Sequence, residues 1–311
     1  LVLARAAADS GIPMIMSGSS LIPLEEVIRA APGTWFQAYL PGEVAKIEPL
    51  IDRVLRAGVE TLVLTVDTAV LANRENNVRA GFSTPLRPNL RLAMDGLTHP
   101  KWLLGTALPT LLRHGMPHFE NSSASRGAPI LSAKAVRDFG AKDHLNWDHL
   151  DLIRRKWNRT LVIKGLMNAE DARIARDRGV DGIIVSNHGG RQLDGTVSPL
   201  RVLPDVLDAV GSSIPVMMDC GIRRGTDVLK ALALGARFVF VGRPFLYAAS
   251  IGGEQAVRHA IRILAGEVQR NLGLLGLMNI GELGAAQLRV LNGTYRPLDR
   301  DQVATSADLR A

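Results

Sequence analysis

The chain has 311 residues, of which 47% are hydrophobic and 22% charged, so it can bury a large core and is not a disordered tail. Its formal net charge of +7 favours anionic ligands, but an aromatic content of 5% without a basic stripe argues against nucleic acid. No apolar run reaches the roughly 18 to 20 residues of a membrane span, and the single cysteine, Cys220, excludes an internal disulfide, so we expect a cytoplasmic protein.

Seven short apolar runs rich in β-branched residues predict buried strands. In chain order they are 13–17, 35–40, 61–67, 160–164, 182–186, 214–219 and 237–242. Helical patterns at 43–57, 169–178, 204–210 and 227–234 separate most of them. This alternation predicts parallel β/α units, and hence an α/β fold of the (β/α)₈ TIM barrel type. An open doubly wound sheet is the alternative, although no GxGxxG fingerprint follows an early strand.

The start of the chain differs from that of a complete barrel. Leu1 is not an initiator methionine, and residues 1–10 have the pattern of the middle of a helix. An eighth strand is expected just before Leu1. We therefore expect one barrel domain over residues 1–311 that lacks the first strand and the N-terminal segment, with residues 295–311 as a C-terminal tail.

One interval between strands is much longer than the others. About ninety residues separate Asp67 from Thr160, a length typical of a functional loop or lid, and we place the insertion at 83–145. Its apolar stretch 102–114 can lie in a membrane interface or pack as a helix on the barrel; Gly105 and Pro109 interrupt the apolar face and favour packing. Residues 121–128, rich in serine and glycine, predict a mobile stretch.

Polar residues stand at the carboxyl end of almost every predicted strand. In a barrel these ends meet at one mouth, where active sites lie, so we expect them to share a site. They are Ser17, Gln37, Tyr39, Thr65, Asp67, Lys164, Ser186, His188, Asp219, Gly242 and Arg243.

The most informative of these ends is 186–192, Ser-Asn-His-Gly-Gly-Arg-Gln. His188 can take and return a proton near neutral pH, and Arg191 can bind a carboxylate through two parallel hydrogen bonds. Asp67 can pair with His188 and stabilise its protonated form, or it can cap the next turn. Lys164, the only charge in its strand, can be a Schiff-base nucleophile, a charge stabiliser or an ion-pair partner.

Glycines and arginines follow the last two predicted strands. Residues 219–225 include Arg223 beside Asp219, and residues 241–244 include Gly242 and Arg243. Barrels commonly bind phosphate here, on loop amides and a helix N-terminus. The sequence therefore predicts a phosphorylated cofactor, and it predicts no metal site.

Together these motifs resemble one enzyme family. Residues 186–195, with 64–68, 162–165, 219–225 and 241–244, are similar to the FMN-dependent α-hydroxy-acid oxidase and dehydrogenase family, and the resemblance extends to about residue 290. It implies that the chain binds FMN and oxidises a lactate- or mandelate-like L-2-hydroxy acid to the 2-keto acid. It also implies a homo-oligomer, of the tetramer type. Cys220 departs from the pattern, which has glycine after the aspartate.

The family pattern implies a role for each matched residue. His188 is implied as the base, with Asp67 as its charge partner. Arg191 is implied as the principal carboxylate clamp, with Arg74 as a second substrate-side arginine and Tyr39 as a hydrogen-bond partner of the substrate. The remaining residues are implied to hold FMN: Lys164 by the N1 and O2 edge, Ser17, Gln37, Thr65 and Ser186 at the ring and nearby ribityl atoms, Asp219 and Arg223 on the ribityl-phosphate arm, and Gly242 and Arg243 at the phosphate.

The resemblance leaves the electron acceptor and the mechanism open. Residues 96–102 and 113–117 resemble the membrane-associated dehydrogenase branch, which implies a quinone-type acceptor and a peripheral position on the inner face of the cell membrane. An oxygen-using oxidase, an FMN barrel of the isopentenyl diphosphate isomerase type and an inactive fragment are the alternatives. His188 can remove the α-hydrogen as a proton, or take the hydroxyl proton while hydride moves to the flavin.

Overall fold

The computed structural model describes residues 1–81, 86–132, 144–291 and 295–297, which contain a sheet of seven parallel strands alternating with helices. The strands are β1 (Ile15–Ser17), β2 (Trp35–Ala38), β3 (Thr61–Thr65), β4 (Thr160–Leu166), β5 (Gly182–Val185), β6 (Val216–Met218) and β7 (Phe238–Val239). All seven predicted strands are confirmed. Each pairs with the next one in the sequence, which is the strand order of a barrel and not of a doubly wound sheet, whose order reverses.

Helices follow the strands in the order that the (β/α)₈ fold requires. They are α1 (Val2–Asp9), α2 (Leu24–Ala30), α3 (Val44–Arg56), α4 (Glu75–Arg79), α5 (Leu90–Thr98), α6 (Pro100–Trp102), α7 (Leu108–His114), α8 (Trp147–Lys156), α9 (Ala169–Asp177), α10 (Pro199–Val210), α11 (Gly225–Ala233) and α12 (Arg243–Leu274). α10 begins five residues before the predicted start at 204, because Pro199 suits a first helical turn. A two-stranded hairpin, β8 (Arg289–Leu291) with β9 (Tyr295–Pro297), ends the described chain, and the rest of the predicted tail at 295–311 lies outside it.

The long interval forms helices whose apolar side chains stay exposed. α6, a π-helical turn (Leu103–Ala107) and α7 run without a break, and neither they nor α5 contain a buried residue. Trp102 is 53% exposed and Leu112 is 76% exposed. The packing on the barrel that the sequence favours is therefore wrong for 102–114. Parts of the predicted insertion at 83–145, namely 83–85 and 133–143, lie outside the described residues.

The predicted mobile stretch 121–128 is instead fixed at its start. Asn121 is buried, its Oδ1 accepts the backbone N–H of Leu24 at 2.8 Å, and its Nδ2 donates to the carbonyl oxygens of Ser20 and Ile22. Arg53 donates to the carbonyl oxygen of Ser123. A serine-rich composition indicates a loop, but it does not reveal that a buried amide fastens that loop to the start of α2.

Candidate active site

The inner face of the sheet carries an apolar row and then a polar row. Side chains of a strand alternate between its two faces, so residues two apart point to the same side. The apolar row consists of Ile15, Trp35, Val63, Val162, Ile184 and Met217, which pack together. Two residues further along each strand comes the polar row, Ser17, Gln37, Thr65, Lys164, Ser186 and Asp219. The alternation explains why the predicted polar residues meet at one end of the barrel interior.

Lys164 is the buried cation of the polar row. Its Nζ lies 3.1 Å from Asp219 Oδ2 and donates to Ser186 Oγ at 2.7 Å. Burial lowers the pKa of Lys164, but the carboxylates of Asp219 and Asp67 outweigh burial, and the net pKa is raised. Lys164 is therefore charged at neutral pH, which favours charge stabilisation over a Schiff-base role, since that role requires a neutral amine.

His188 forms a side-chain pair with Asp67. Its Nδ1 lies 3.0 Å from Asp67 Oδ1, and its backbone N–H donates to Ser186 Oγ at 3.1 Å. His188 has φ +56°, and Gly189 and Gly190 continue this left-handed turn. The conformation is strained for histidine, as is common where a side chain must be presented to a ligand. Because the carboxylate of Asp67 accepts a hydrogen bond from Nδ1–H, Nε2 is the nitrogen that can accept a proton from a substrate.

Gly165 makes room for the carboxylate of this pair. It has φ +108°, and a Cβ built on it would lie 2.7 Å from Asp67 Cβ. The ladder between β4 and β5 shifts its register at this point. Asp67 Oδ2 is buried and has no hydrogen-bond partner among the described residues.

Two arginines and a tyrosine line the same cavity as His188. Arg74 Nη2 donates to Gln192 Oε1 at 2.7 Å, and the pKa of Arg74 is lowered by burial and then by the charge of Arg191. Burial raises the pKa of Tyr39, so its hydroxyl stays protonated and can donate a hydrogen bond. Two neighbouring guanidinium groups that repel each other beside a hydroxyl donor form a site suited to an anion.

Basic residues line the part of the cavity where α12 begins. Arg223 and Arg243 are exposed and line it, and α12 begins there at Arg243 after Gly242, with no side chain capping its N-terminus. Arg243 Nη2 also donates to the carbonyl oxygen of Gly189, in the turn of His188, at 3.1 Å. Arginines and the amides of a helix N-terminus are the groups that bind phosphate.

The cavity has a volume of about 1720 Å³ and brings together most of the predicted site. Its lining includes Ser17, Gln37, Tyr39, Arg74, Lys164, His188, Arg191, Asp219, Arg223, Gly242 and Arg243. Thr65, Asp67 and Ser186 lie behind this lining: Thr65 accepts a hydrogen bond from Gln37, Asp67 pairs with His188, and Ser186 accepts from Lys164. One cavity thus contains a buried cation and a phosphate-binding set, the kinds of group that suit the ring and the phosphate of FMN.

The sequence does not indicate several contacts that hold the site residues in place. Gln192 is the last residue of the motif 186–192, and its side chain accepts a hydrogen bond from Arg74, which is 118 residues away in the sequence. Gly165 directly follows the predicted lysine, so its position was a signal, but nothing local shows that Asp67 lies against it. The sequence predicts Arg243 at the phosphate, but it does not indicate the hydrogen bond that Arg243 donates to the carbonyl oxygen of Gly189.

Comparison with known proteins decides the family. The model of the family described as FMN-dependent dehydrogenase matches residues 1–290. The chain belongs to this family. It is 38% identical over 291 residues to (S)-mandelate dehydrogenase of Pseudomonas putida, covering 93% of this chain and 72% of the relative. It is 41% identical over 284 residues to L-lactate dehydrogenase of Pseudomonas entomophila, covering 90% of this chain and 73% of the relative.

Solved structures of family members share the fold. A monotopic membrane protein, (S)-mandelate dehydrogenase, superposes with a TM-score of 0.82 at 37% identity, covering 91% of this chain and 74% of that chain. A mandelate oxidase superposes with a TM-score of 0.70 at 33% identity, covering 90% and 70%. The chain is accordingly an FMN-dependent oxidoreductase of the class that oxidises 2-hydroxy acids, with the (β/α)₈-type fold and the cofactor expected from the sequence.

Proposed function

We propose that this FMN-dependent dehydrogenase oxidises a lactate- or mandelate-like L-2-hydroxy carboxylate to the 2-keto acid and passes the electrons to a membrane quinone. The observation that carries the first part is the His188–Asp67 pair, which faces the cavity lined by Arg74 and Arg191. A base beside two cations fits a substrate that bears a carboxylate next to an oxidisable carbinol. The match to the FMN-dependent dehydrogenase family, with relatives described as L-lactate and (S)-mandelate dehydrogenases, disfavours the isomerase alternative.

Each side chain has a role that follows from its surroundings. Arg191 and Arg74 bind and orient the carboxylate, and Tyr39 donates a hydrogen bond to a substrate oxygen. His188 Nε2 takes a proton, and Asp67 stabilises the imidazolium that forms. FMN, when bound, supplies the redox chemistry by accepting two electrons.

The residues proposed to hold FMN line the cavity or lie directly behind its wall. Lys164 places its charge by the ring, where negative charge develops. The other residues proposed to bind the cofactor are Ser17, Gln37, Thr65, Ser186, Asp219, Arg223, Gly242 and Arg243.

Anaerobic spectroscopy tests the reaction. Adding L-lactate or (S)-mandelate to the FMN-loaded chain is expected to bleach the visible flavin absorption, whereas D-lactate and isopentenyl diphosphate are not. The His188→Gln variant is expected to bleach about 10²- to 10⁴-fold more slowly, the usual contribution of a general base. If the chain does not retain FMN, it is an inactive fragment; if His188→Gln bleaches at the wild-type rate, His188 is not the base.

The exposed apolar surface of 97–112 supports the membrane part of the proposal. Leu97, Trp102, Leu104, Leu108 and Leu112 are all exposed, with Lys101 and Arg113 beside them. Exposed leucines and a tryptophan flanked by basic residues suit the interface of an anionic bilayer. None of the described helices combines the length and hydrophobicity that crossing a bilayer requires. A structural relative described as a monotopic membrane protein favours the same peripheral position.

Vesicle binding tests this surface. The chain is expected to co-sediment with anionic vesicles, and the double variant Trp102→Ser/Leu112→Ser is expected to stay in the supernatant. The matched control replaces two exposed apolar residues elsewhere, Leu274→Ser/Met278→Ser, and is expected to bind like wild type. Equal loss in both variants would contradict a specific membrane surface.

Two further measurements address the acceptor and the assembly. After anaerobic bleaching, a quinone analogue is expected to restore the flavin absorption faster than dioxygen does; the reverse result identifies an oxidase.

A homo-oligomer of the tetramer type is expected from light scattering of the detergent-solubilised chain.

A further inference from the structure

Cys220 occupies a backbone position that suits glycine. It directly follows Asp219, after β6, and has φ +72°, in the left-handed region where a Cβ is unfavourable. Among the described residues only His188 shares a positive φ without being glycine. A side chain at such a position costs conformational free energy, so the contacts that the side chain makes must offset that cost.

The thiol of Cys220 connects two parts of the active site. Its Sγ accepts the backbone N–H of Gly189 at 2.9 Å and lies 3.5 Å from Ser186 Oγ. It also donates to Asp219 Oδ1 at 2.8 Å. Gly189 follows His188, and the other oxygen of Asp219 pairs with Lys164. One sulfur atom therefore lies between the turn that carries the base and the ion pair that contains the buried cation.

The thiol must be neutral to make both contacts, because a thiolate would repel the carboxylate of Asp219. Burial, followed by the charge of Asp219, raises the pKa of Cys220 to about 11. At neutral pH the sulfur therefore carries its proton, donates it to Asp219 and uses a lone pair to accept the Gly189 N–H. A glycine here would leave both the amide and the carboxylate oxygen without this partner.

We propose that Cys220 is a positioning residue, whose thiol holds the His188–Gly189 turn against the Asp219–Lys164 ion pair and so fixes the base relative to the cation at the cofactor. This inference rests on the proposed function, since it takes His188 as the base and Lys164 as the cation by the ring. It also implies that the S–H donor withdraws charge from Asp219 and leaves more of the positive charge of Lys164 available to the cofactor.

Three variants of the FMN-loaded chain separate positioning from a merely structural role. Cys220→Gly and Cys220→Ala remove both contacts, whereas Cys220→Ser keeps a donor and an acceptor at the same place. We expect kcat to fall about tenfold in the glycine and alanine variants with KM within twofold of wild type, and serine to restore at least half of kcat. Cys220→Gly and Cys220→Ala lose the same contacts but only glycine relieves the strained φ, so the glycine variant is expected to melt at a higher temperature than the alanine variant while kcat is equally low in both.

Two readouts do not depend on a hydroxy acid. The midpoint potential of bound FMN, measured by equilibration with a reference dye, is expected to be more negative in the glycine and alanine variants and to return toward wild type in the serine variant. Hydrogen exchange of the Gly189 amide, measured on the chain with or without FMN, is expected to quicken in the same two variants. If kcat, potential and exchange are the same in wild type, glycine and serine variants, Cys220 does not position anything. If wild type fails to oxidise hydroxy acids while the potential and exchange effects appear, the proposed function fails and the positioning role stands.

Discussion

Asp67 and His188 are 121 residues apart in the sequence, yet Asp67 Oδ1 lies 3.0 Å from His188 Nδ1. β4 lies between β3 and β5 in the parallel sheet, so the segments that follow β3 and β5 leave the same end of the sheet. The contact selects the Nδ1–H tautomer of His188 and leaves Nε2 toward the cavity as the proton acceptor. The parallel sheet therefore leaves Nε2 as the ring nitrogen that is free to accept a proton, as the proposed role of His188 requires.

Replacing Asp67 by asparagine tests this relationship. Asp67→Asn keeps the size of the side chain and removes the negative charge that stabilises the protonated His188. A hydrogen bond to a charged group contributes about 1.5 to 3 kcal/mol, so kcat is expected to fall about 10- to 100-fold in steady-state assays of the FMN-loaded chain, with little change in KM. The control is Asp52→Asn, which loses a 3.0 Å ion pair between Asp52 and Lys156 at the surface and is expected to keep its kcat. Equal kcat values in the two variants would contradict the role of Asp67.

Gly165→Ala is expected to disturb the Asp67–His188 pair, because Gly165 lies against Asp67. An alanine Cβ would lie 2.7 Å from Asp67 Cβ, and the backbone has φ +108°. Strain and overlap together are expected to lower the free energy of unfolding by about 2 to 4 kcal/mol in denaturant titrations, and kcat should fall as Asp67 moves away from His188. Gly58→Ala is the control, since Gly58 has φ +82° but nothing within 4 Å of its built Cβ. That variant should lose only about 1 to 2 kcal/mol and keep its kcat; a similar loss of kcat in both would argue against the contact.

The sequence predicts which side chains form the apolar and polar rows inside the barrel better than it predicts which of those side chains contact each other. Six of the seven apolar runs have a polar residue two positions after an inward-facing one, as in Val63 followed by Thr65, so alternation alone places these side chains on one face. The pairings within that face depend on distances across the barrel. Nothing near Arg74 in the sequence indicates that Gln192 accepts its hydrogen bond.

The surface of the long interval shows a different limit. The sequence of 102–114 is compatible with packing on the barrel and with a membrane interface, because both bury the same apolar face. Burial distinguishes them, and Leu112 at 76% exposure has no covering element among the described residues. Composition predicted a helix here; only the three-dimensional structure shows which side of it lacks a partner.

Arg74 and Arg191, the two arginines proposed to bind the substrate, line the same cavity. The pKa of Arg74 is lowered by burial and by Arg191, so a bound carboxylate relieves repulsion that exists without it. Arg191→Met or Arg74→Met is expected to lower kcat/KM for L-lactate about 10- to 100-fold, the contribution of a charge-assisted hydrogen bond. The neutral analogue lactamide is the control substrate, because it lacks the carboxylate charge. An unchanged ratio of kcat/KM between lactate and lactamide would show that these arginines do not recognise that charge.

The thiol of Cys220 makes stability depend on pH in an alkaline window. Its pKa is raised from 9.0 to about 11, first by burial and then by Asp219, so the folded chain keeps a proton that the unfolded chain releases more readily. Below about pH 9 the thiol is protonated in both states, so the stability that depends on the neutral thiol is fully present. As pH rises from about 9 to about 11 the unfolded state gains by ionising, and up to about 2 to 3 kcal/mol of the unfolding free energy is lost.

Cys220→Ser removes this titration and keeps the hydrogen-bonding group, while Lys164 and Tyr39 titrate in both chains and cancel in the comparison. Urea unfolding at pH 8, 10 and 11 is therefore expected to show wild type losing stability faster than Cys220→Ser over this range, with a constant difference between the two chains from pH 7 to pH 8. Parallel curves from pH 8 to pH 11 would mean that Cys220 ionises equally easily in the folded and unfolded chains. Its thiol would then not be held as a neutral donor to Asp219, and the contact that links Asp219 to the turn of His188 would lose its physical basis.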